Sequence, residues 1–409
     1  MLELDLVHTV AFGGLVLLGG YALQRGIPLF GRLNIPAPVL GGLIVAVVVL
    51  IARGQGATLF EFDTTLQGPL NIAFFTSIGF GASVSLLKVG GPLVMRFFAL
   101  ATVFAILQNV VGAGIAVLFG LDPLFGVLAG SVTLTGGPAT GLAFAPLFEQ
   151  AGVEGAAAIA VAVAMGGIVA GAVVGGPVGT YLIRRHHLHA AGKPGSSPMP
   201  VEMQDVVEQH LPQTSPAAPA GEDGQTYALL KNLVAVLAAM WAGFWISKGF
   251  AAVGATLPAY IGAMLAAALL RNIDDLTGWF GLSQKIIDEI GAIALSLFLV
   301  MALMTLKLWE LAGLAAPLVV ILLAQVSLVA IVCLWPVYQL MGRDYEAAVM
   351  SGGFIGFMLG TTANAMAVMR TLVERFGPAP RAFFVAPMVG AFFIDFTNAL
   401  LITGFLNIF

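Results

Sequence analysis

The chain has 409 residues, 59% of them hydrophobic and only 9% charged, with a formal net charge of −4. A soluble domain carries about a quarter charged residues, so this chain lacks the polar shell that a water-soluble globule of its length requires. The net charge is too small to point to a polyionic partner, and the single cysteine, Cys333, excludes an internal disulfide.

Residues 1–10 (MLELDLVHTV) hold two acids and no Lys or Arg, so the basic start of a cleaved signal peptide is missing. Leu6–Leu23 is therefore expected to remain as a membrane helix. Apolar runs matched to a hydrocarbon layer about 30 Å thick predict ten spans. Five lie in the first half, at Leu6–Leu23, Ile35–Ala52, Pro69–Leu87, Leu93–Phe119 and Gly155–Ile183. Five lie in the second, at Leu229–Phe250, Pro258–Leu270, Ile290–Leu306, Leu311–Leu340 and Ala382–Phe409. Two further apolar stretches, 123–147 and 347–372, are interrupted by Gly, Thr and Pro and read as re-entrant hairpins or broken helices.

Residues 184–226 separate the halves and are rich in Pro, Ser, Ala, Gly and charge, as a solvated linker is. Val206–Leu211 is a candidate short helix within it. His186, His187 and His189 are better read as solvated than as metal ligands. With the N terminus outside, 14 basic residues fall on the cytoplasmic side and only Arg53, Lys248 and Lys307 fall outside. The positive-inside rule thus predicts both termini outside and the linker in the cytoplasm.

Five spans is an odd number, so the second half (227–409) is expected to enter the membrane inverted relative to the first (1–183). The halves share an offset: Pro36-Ala37 recurs as Pro258-Ala259, the Gly120-Leu121-Asp122 turn as Gly342-Arg343-Asp344, and Thr140 as Thr362. Inverted repeats with paired broken helices are the recurring plan of secondary transporters. The fold class predicted is an all-α integral membrane protein of two inverted five-helix repeats.

Irregular backbone at membrane depth is tolerated where it lines a cavity or packs inside protein. The first broken segment carries Ser131, Thr133, Thr135, Gly136, Gly137, Pro138 and Thr140; the second carries Gly360, Thr361, Thr362 and Asn364. Two such tips meeting from opposite sides would offer N–H groups to a carboxylate and freed carbonyls to a dehydrated cation such as Na⁺. Close packing of small residues is the alternative use of such segments. Asp395, near Thr397 and Asn398 in the last span, is costly in lipid at about 2.5–3.5 kcal/mol on insertion scales, so it should face the interior. There it would hold a substrate ammonium group or the coupling cation, or else a neighbouring helix. Gln108, Asn109 and Gln325 are polar at depth and are candidates for cation binding or packing. Asn71, Thr76 and Ser77 are weaker candidates, because such side chains often bond their own helix.

LSLFLVMALMTLKLWELA (295–312), ERFGP (374–378), VAPMVGAFFIDFTNAL (385–400) and FGLDPLFGVLAGSVTLTGG (119–137) resemble the bacterial sodium/glutamate symporter family. The resemblance runs over nearly the whole chain except the linker. It implies Na⁺-coupled uptake of L-glutamate, or a related small anion, across the inner membrane, with an elevator-type motion and a homodimer embedded in lipid. It leaves Na⁺ as the coupling ion, with neither an organic cofactor nor a nucleic-acid partner. Mapped onto these segments, Thr135, Gly136, Gly137, Thr140, Thr361, Thr362, Asn364, Asp395 and Asn398 are expected to hold the substrate. Gln108, Asn109, Ser131, Thr133 and Asp395 are expected to hold Na⁺. The loaded core would move against a scaffold that includes the first and sixth spans. Two positions depart from the family pattern: Pro138-Ala139-Thr140 replaces His-Gly-Thr, and Thr361–Asn364 replaces a proline-containing Ala-Thr-Pro-Thr run. A channel would need rings of like groups along a continuous polar path, and an enzyme a catalytic constellation at depth; neither pattern is present in the sequence.

Overall fold

The computed structural model describes residues 2–33, 35–85, 91–190, 223–252, 257–311 and 313–409. The candidate helix Val206–Leu211 and most of the linker lie outside the described residues. Two compact units emerge, each drawing on both halves of the sequence: Met1–Thr64, Pro92–Pro200 and Leu299–Phe409 form the first, Thr65–Gly91 and Val201–Phe298 the second.

Before the first break, the larger unit contains β1 (Leu2–Leu4), α1 (Leu6–Gly26), α2 (Pro28–Arg32), α3 (Ala37–Gly54) and β2 (Phe60–Phe62). Asp5 caps α1 by accepting from His8 N at 2.9 Å. Helices α1 and α3 touch backbone to backbone: a Cβ on Gly20 would lie 2.1 Å from the Ala37 carbonyl oxygen, and one on Gly41 2.3 Å from that of Val16. The two strands pair in parallel, Leu2 to Phe60 and Leu4 to Phe62. These three-residue strands depart from the all-α expectation, since FEF is too short a run for a period of two to register.

In the smaller unit, α4 (Gln67–Gly81) has 15 residues, which is short of a span and ends earlier than the predicted Leu87. The helix stops because Asn272 intercepts the chain, donating to Ala82 O at 2.8 Å and accepting from Val84 N at 3.0 Å. Thr76 and Ser77 bond their own helix, to Ile72 O and Phe74 O, each at 2.7 Å.

Helix α5 (Gly91–Leu118) leads into the first broken segment: α6 (Pro123–Val127), a π turn over Leu128–Val132, and α7 (Gly137–Gln150). Long α8 (Ala156–Arg185) follows. After the linker, α9 (Asp223–Ala252) and α10 (Ala259–Thr277) pack with α4 around Phe80, Val236, Ala266, Leu282 and Ile287. Helix α10 carries a buried Arg271 paired with Asp275 at 2.8 Å and bonded to Gln284 at 3.0 Å, so the seventh predicted span is less apolar than its first half suggests. Asp274, beside it, accepts from the main-chain N–H of Phe280, Gly281 and Leu282.

The remaining elements are α11 (Gln284–Met304), α12 (Ala315–Val332) with a π turn over Cys333–Val337, α13 (Tyr338–Leu340), α14 (Tyr345–Met358), α15 (Thr362–Phe376), α16 (Pro380–Phe392) and α17 (Ile394–Ile408). Among the described residues seven helices are long and apolar enough to cross a membrane, or eight if α16 and α17, bent by 43°, count as one span. The ten predicted spans exceed this because α4 is short, α10 is charged and the last is bent.

Candidate functional site

Both broken segments start the same way. Gly120 (φ +71°) and Gly342 (φ +124°) take backbone conformations that L side chains resist. Two residues later Asp122 caps the first arm by accepting from Leu124 N, and Asp344 caps the other from Ala347 N, each at 2.8 Å. In the second segment the arms fold against each other: a Cβ on Gly356 would lie 3.0 Å from Ala365 Cα, and one on Gly353 2.7 Å from Met369 Cγ. In the first, the arms touch where a Cβ on Gly141 would lie 3.0 Å from Thr133 Cγ2.

The two tips meet. A Cβ on Gly137, which has φ +68°, would lie 3.4 Å from Thr361 Cγ2 and 3.7 Å from Gly360 O. The second arms, α7 and α15, both begin at this meeting point, so two helix N-termini converge there. Thr361 caps α15 through a 3.4 Å bond from Asn364 N. Thr140 is buried one turn into α7, and Thr362 is half-buried, close against Gly390 of α16.

Below the first tip, the backbone breaks at Gly130 (φ −98°, ψ −130°), and Ser131 becomes the centre of a polar cluster. Its N–H donates to Asn109 Oδ1 at 2.8 Å. Its carbonyl accepts from Gly136 N at 2.9 Å, from Thr135 N at 3.2 Å and from Asn398 Nδ2 at 3.0 Å. Thr133 is bonded back to Leu128 O at 2.8 Å. Gln108 accepts from Thr135 Oγ1 at 2.7 Å and donates to Met358 O at 2.9 Å. Gln325 donates to Gln108 O at 2.7 Å. Gln108, Asn109, Ser131, Thr133, Gln325, Asn364 and Asn398 are each fully buried.

Of the expected cation ligands, Gln108 and Asn109 therefore already spend their carbonyl oxygens on holding the first segment. Among the buried oxygens without a protein partner in the described residues, Ser131 Oγ, Gln325 Oε1, Asn364 Oδ1 and Asn398 Oδ1 belong to this cluster and the second tip, while Asn71 Oδ1, Thr102 Oγ1 and Gln339 Oε1 lie elsewhere. Such atoms are costly to bury dry. The Asn364 amide nitrogen is turned into the protein, to Ile168 O at 3.1 Å and Gly356 O at 3.3 Å, and a Cβ on Gly171 would lie 2.7 Å from it. The amide thus pins the second tip to α8, and only its oxygen remains free.

Asp395 is not mid-helix. The last span is interrupted at Phe393, and Asp395 lies in the first turn of α17, where unpaired N–H groups and the helix dipole favour a carboxylate. It is half-buried and has no ion-pair partner among the described residues. No group of three His, Cys, Asp or Glu capable of holding a metal occurs among the described residues; His186 instead stacks on Tyr338, ring centroids 5.0 Å apart.

Comparison with known proteins gives the family. Residues 2–378 match the family described as Sodium/glutamate symporter. The Sodium/glutamate symporter of Escherichia coli strain K12 is 37% identical over 407 residues, covering 99% of this chain and 98% of its own. That of Haemophilus influenzae is 39% identical over 396 residues, covering 97% and 95%. The chain belongs to the sodium/glutamate symporter family. As a family member it is a multi-span bacterial membrane transporter and not an enzyme. Among solved structures, the sodium proton antiporter MjNhaP1 of Methanocaldococcus jannaschii covers 99% of the symporter chain and 98% of its own with 14% identity and a TM-score of 0.42, too low to carry an argument.

Proposed function

We propose that the chain is a Na⁺-coupled symporter that imports L-glutamate across the bacterial inner membrane by alternating access. Its family membership supports the transport reaction. The observation that carries the site is the meeting of Gly137 with Gly360 and Thr361, beside buried oxygens that lack partners. Substrate carboxylates bind where the N-termini of α7 and α15 converge, with Thr135, Gly136, Gly137, Thr140, Thr361 and Thr362 around them. Na⁺ binds below the first tip, using the free oxygens of Ser131 and Asn398 and the hydroxyl of Thr133. Gln108 and Asn109 hold that segment in place around it. Asp395 takes the substrate ammonium group or shares the cation, and Asn364 contributes its free oxygen as an acceptor.

The two halves, 1–183 and 227–409, act as inverted five-helix repeats joined by the cytoplasmic linker 184–226, with both termini outside. The protein works as a homodimer with an elevator-type motion. The pairing of β1 with β2 supports one step of this topology, because two crossings by α1 and α3 return the chain to the face where it started. A second reading is a related acidic amino acid or small carboxylate, with Na⁺ or H⁺ as the coupling ion. It is favoured by Pro138-Ala139 and Asn364, which depart from the family pattern at the tips.

Uptake of radiolabelled L-glutamate into liposomes holding the purified protein tests the proposal, with an inward Na⁺ gradient against a choline control. Saturable, Na⁺-dependent uptake is expected. Uptake that ignores the Na⁺ gradient, or its absence from folded protein, would reject glutamate–Na⁺ symport in favour of the second reading.

A further inference from the structure

Gln108 occupies an unusual place. It is fully buried on α5, outside both broken segments, yet its side-chain amide bonds to each of them. The oxygen accepts from Thr135 Oγ1 at the first tip, at 2.7 Å, and the nitrogen donates to Met358 O, at the end of α14, at 2.9 Å. Met358 O is among the last four carbonyls of a helix, which the helix itself leaves unpaired. Thr135 sits in the turn whose N–H groups close on Ser131 O.

The amide is itself held rigidly. One turn earlier on each helix, Phe104 and Phe354 meet edge to face with ring centroids 5.8 Å apart, fixing α5 against α14. From the other side Gln325 Nε2 donates to the Gln108 main-chain oxygen at 2.7 Å. Gly112, one turn further along α5, lets that helix meet α6 backbone to backbone, since a Cβ there would stand 2.1 Å from Gly126 O. A planar amide with both ends engaged cannot follow a shift of one partner without straining its bond to the other.

We infer that Gln108 is a positioning residue that couples the two broken segments, so that cation binding at the first sets the closure of the second. This rests on the Na⁺ site proposed above but not on the identity of the organic substrate. A cation drawn to Ser131 Oγ and Asn398 Oδ1 tightens the 131–136 turn and with it Thr135. The pull passes through one rigid amide to the end of α14, immediately before the tip at Gly360 and Thr361. Coupling of this kind is reciprocal: closure of the second tip on substrate must raise affinity for the cation by the same factor.

The test reads the second tip while perturbing the first. Ala363 is exposed at the start of α15 and the native Cys333 is fully buried, so Ala363→Cys reports the tip with little background. Maleimide labelling of Ala363→Cys is measured in proteoliposomes with Na⁺ against choline, without organic substrate. Na⁺ is expected to change the labelling rate by several-fold with Gln108 intact, within the roughly 5–150-fold range of inter-site coupling. The response should collapse toward 1 in Gln108→Met and fall in the milder Thr135→Val, which cuts only the bond to the first segment. A merely structural Gln108 would lower the melting temperature and leave the Na⁺ response in place. An undiminished response in both folded variants overturns the inference, as does a tip that ignores Na⁺ with Gln108 intact. Glutamate uptake by the unmodified protein, scored separately, reports on the substrate reading alone.

Discussion

Asp395 carries the sharpest consequence of a single side chain. Its carboxylate stands in the first turn of α17, half-buried and without an ion-pair partner among the described residues, so a bound cation or ammonium group would relieve it of its cost. Asp395→Asn keeps the shape and removes the charge. Na⁺-driven uptake should fall by at least about 100-fold, close to 3 kcal/mol, while elution as a folded particle stays unchanged. Near-normal uptake by that variant would remove Asp395 from the site. The sequence shows this residue plainly, because one acid in AFFIDFTNALL has no soluble explanation, but not its setting. The break at Phe393 has no Gly or Pro at the bend itself to announce it. The orphaned oxygens of Ser131 and Asn398 are likewise invisible in sequence, since which amide atom is spent and which is free depends on partners up to 267 residues apart.

Helices here approach each other through glycine, and polar pairs lock them where glycine runs out. The Gly-x-Asp turns show how an element becomes legible: a positive-φ glycine and an N-capping acid are local devices, so they predict where each broken segment starts. The Arg271 cluster shows the opposite. Its guanidinium pairs with Asp275 on the same helix, whose carboxylate also accepts from Ser83 Oγ at 2.5 Å and Ser85 Oγ at 3.0 Å, across a separation no periodicity reports. Arg271→Met would leave Asp275, which keeps contact with solvent, with two hydroxyls but no cation. Breaking a fully buried pair costs about 3–5 kcal/mol, and the solvent contact and retained hydroxyl bonds of Asp275 bring this case to about 2 kcal/mol. Denaturant unfolding in detergent should show that loss. A cost below about 1 kcal/mol would mean that the cluster is solvated and adds little to α10.

At the scale of the molecule, composition and charge placement give the class, while the compact units do not follow the two halves of the sequence. Each unit takes helices from before and after the linker, so no single stretch of chain reads as a domain. The orientation is open to direct measurement. Thr58→Cys, in the exposed loop before β2, should react with an impermeant maleimide in intact cells. His189→Cys, beyond α8, should react only after the membrane is opened. The reverse pattern would invert the topology and overturn the positive-inside assignment.

The parallel pairing of Leu2–Leu4 with Phe60–Phe62 has a consequence for how the chain is threaded. These strands register only when the outer ends of α1 and α3 lie on one face, so the pairing is incompatible with a chain in which just one of the two helices has crossed. The rings of Phe12, Phe60 and Phe62, with centroids 5.5–6.0 Å apart, close over it and add aromatic packing to the backbone pairing. A few residues of sheet thus tie the first two long helices into one hairpin.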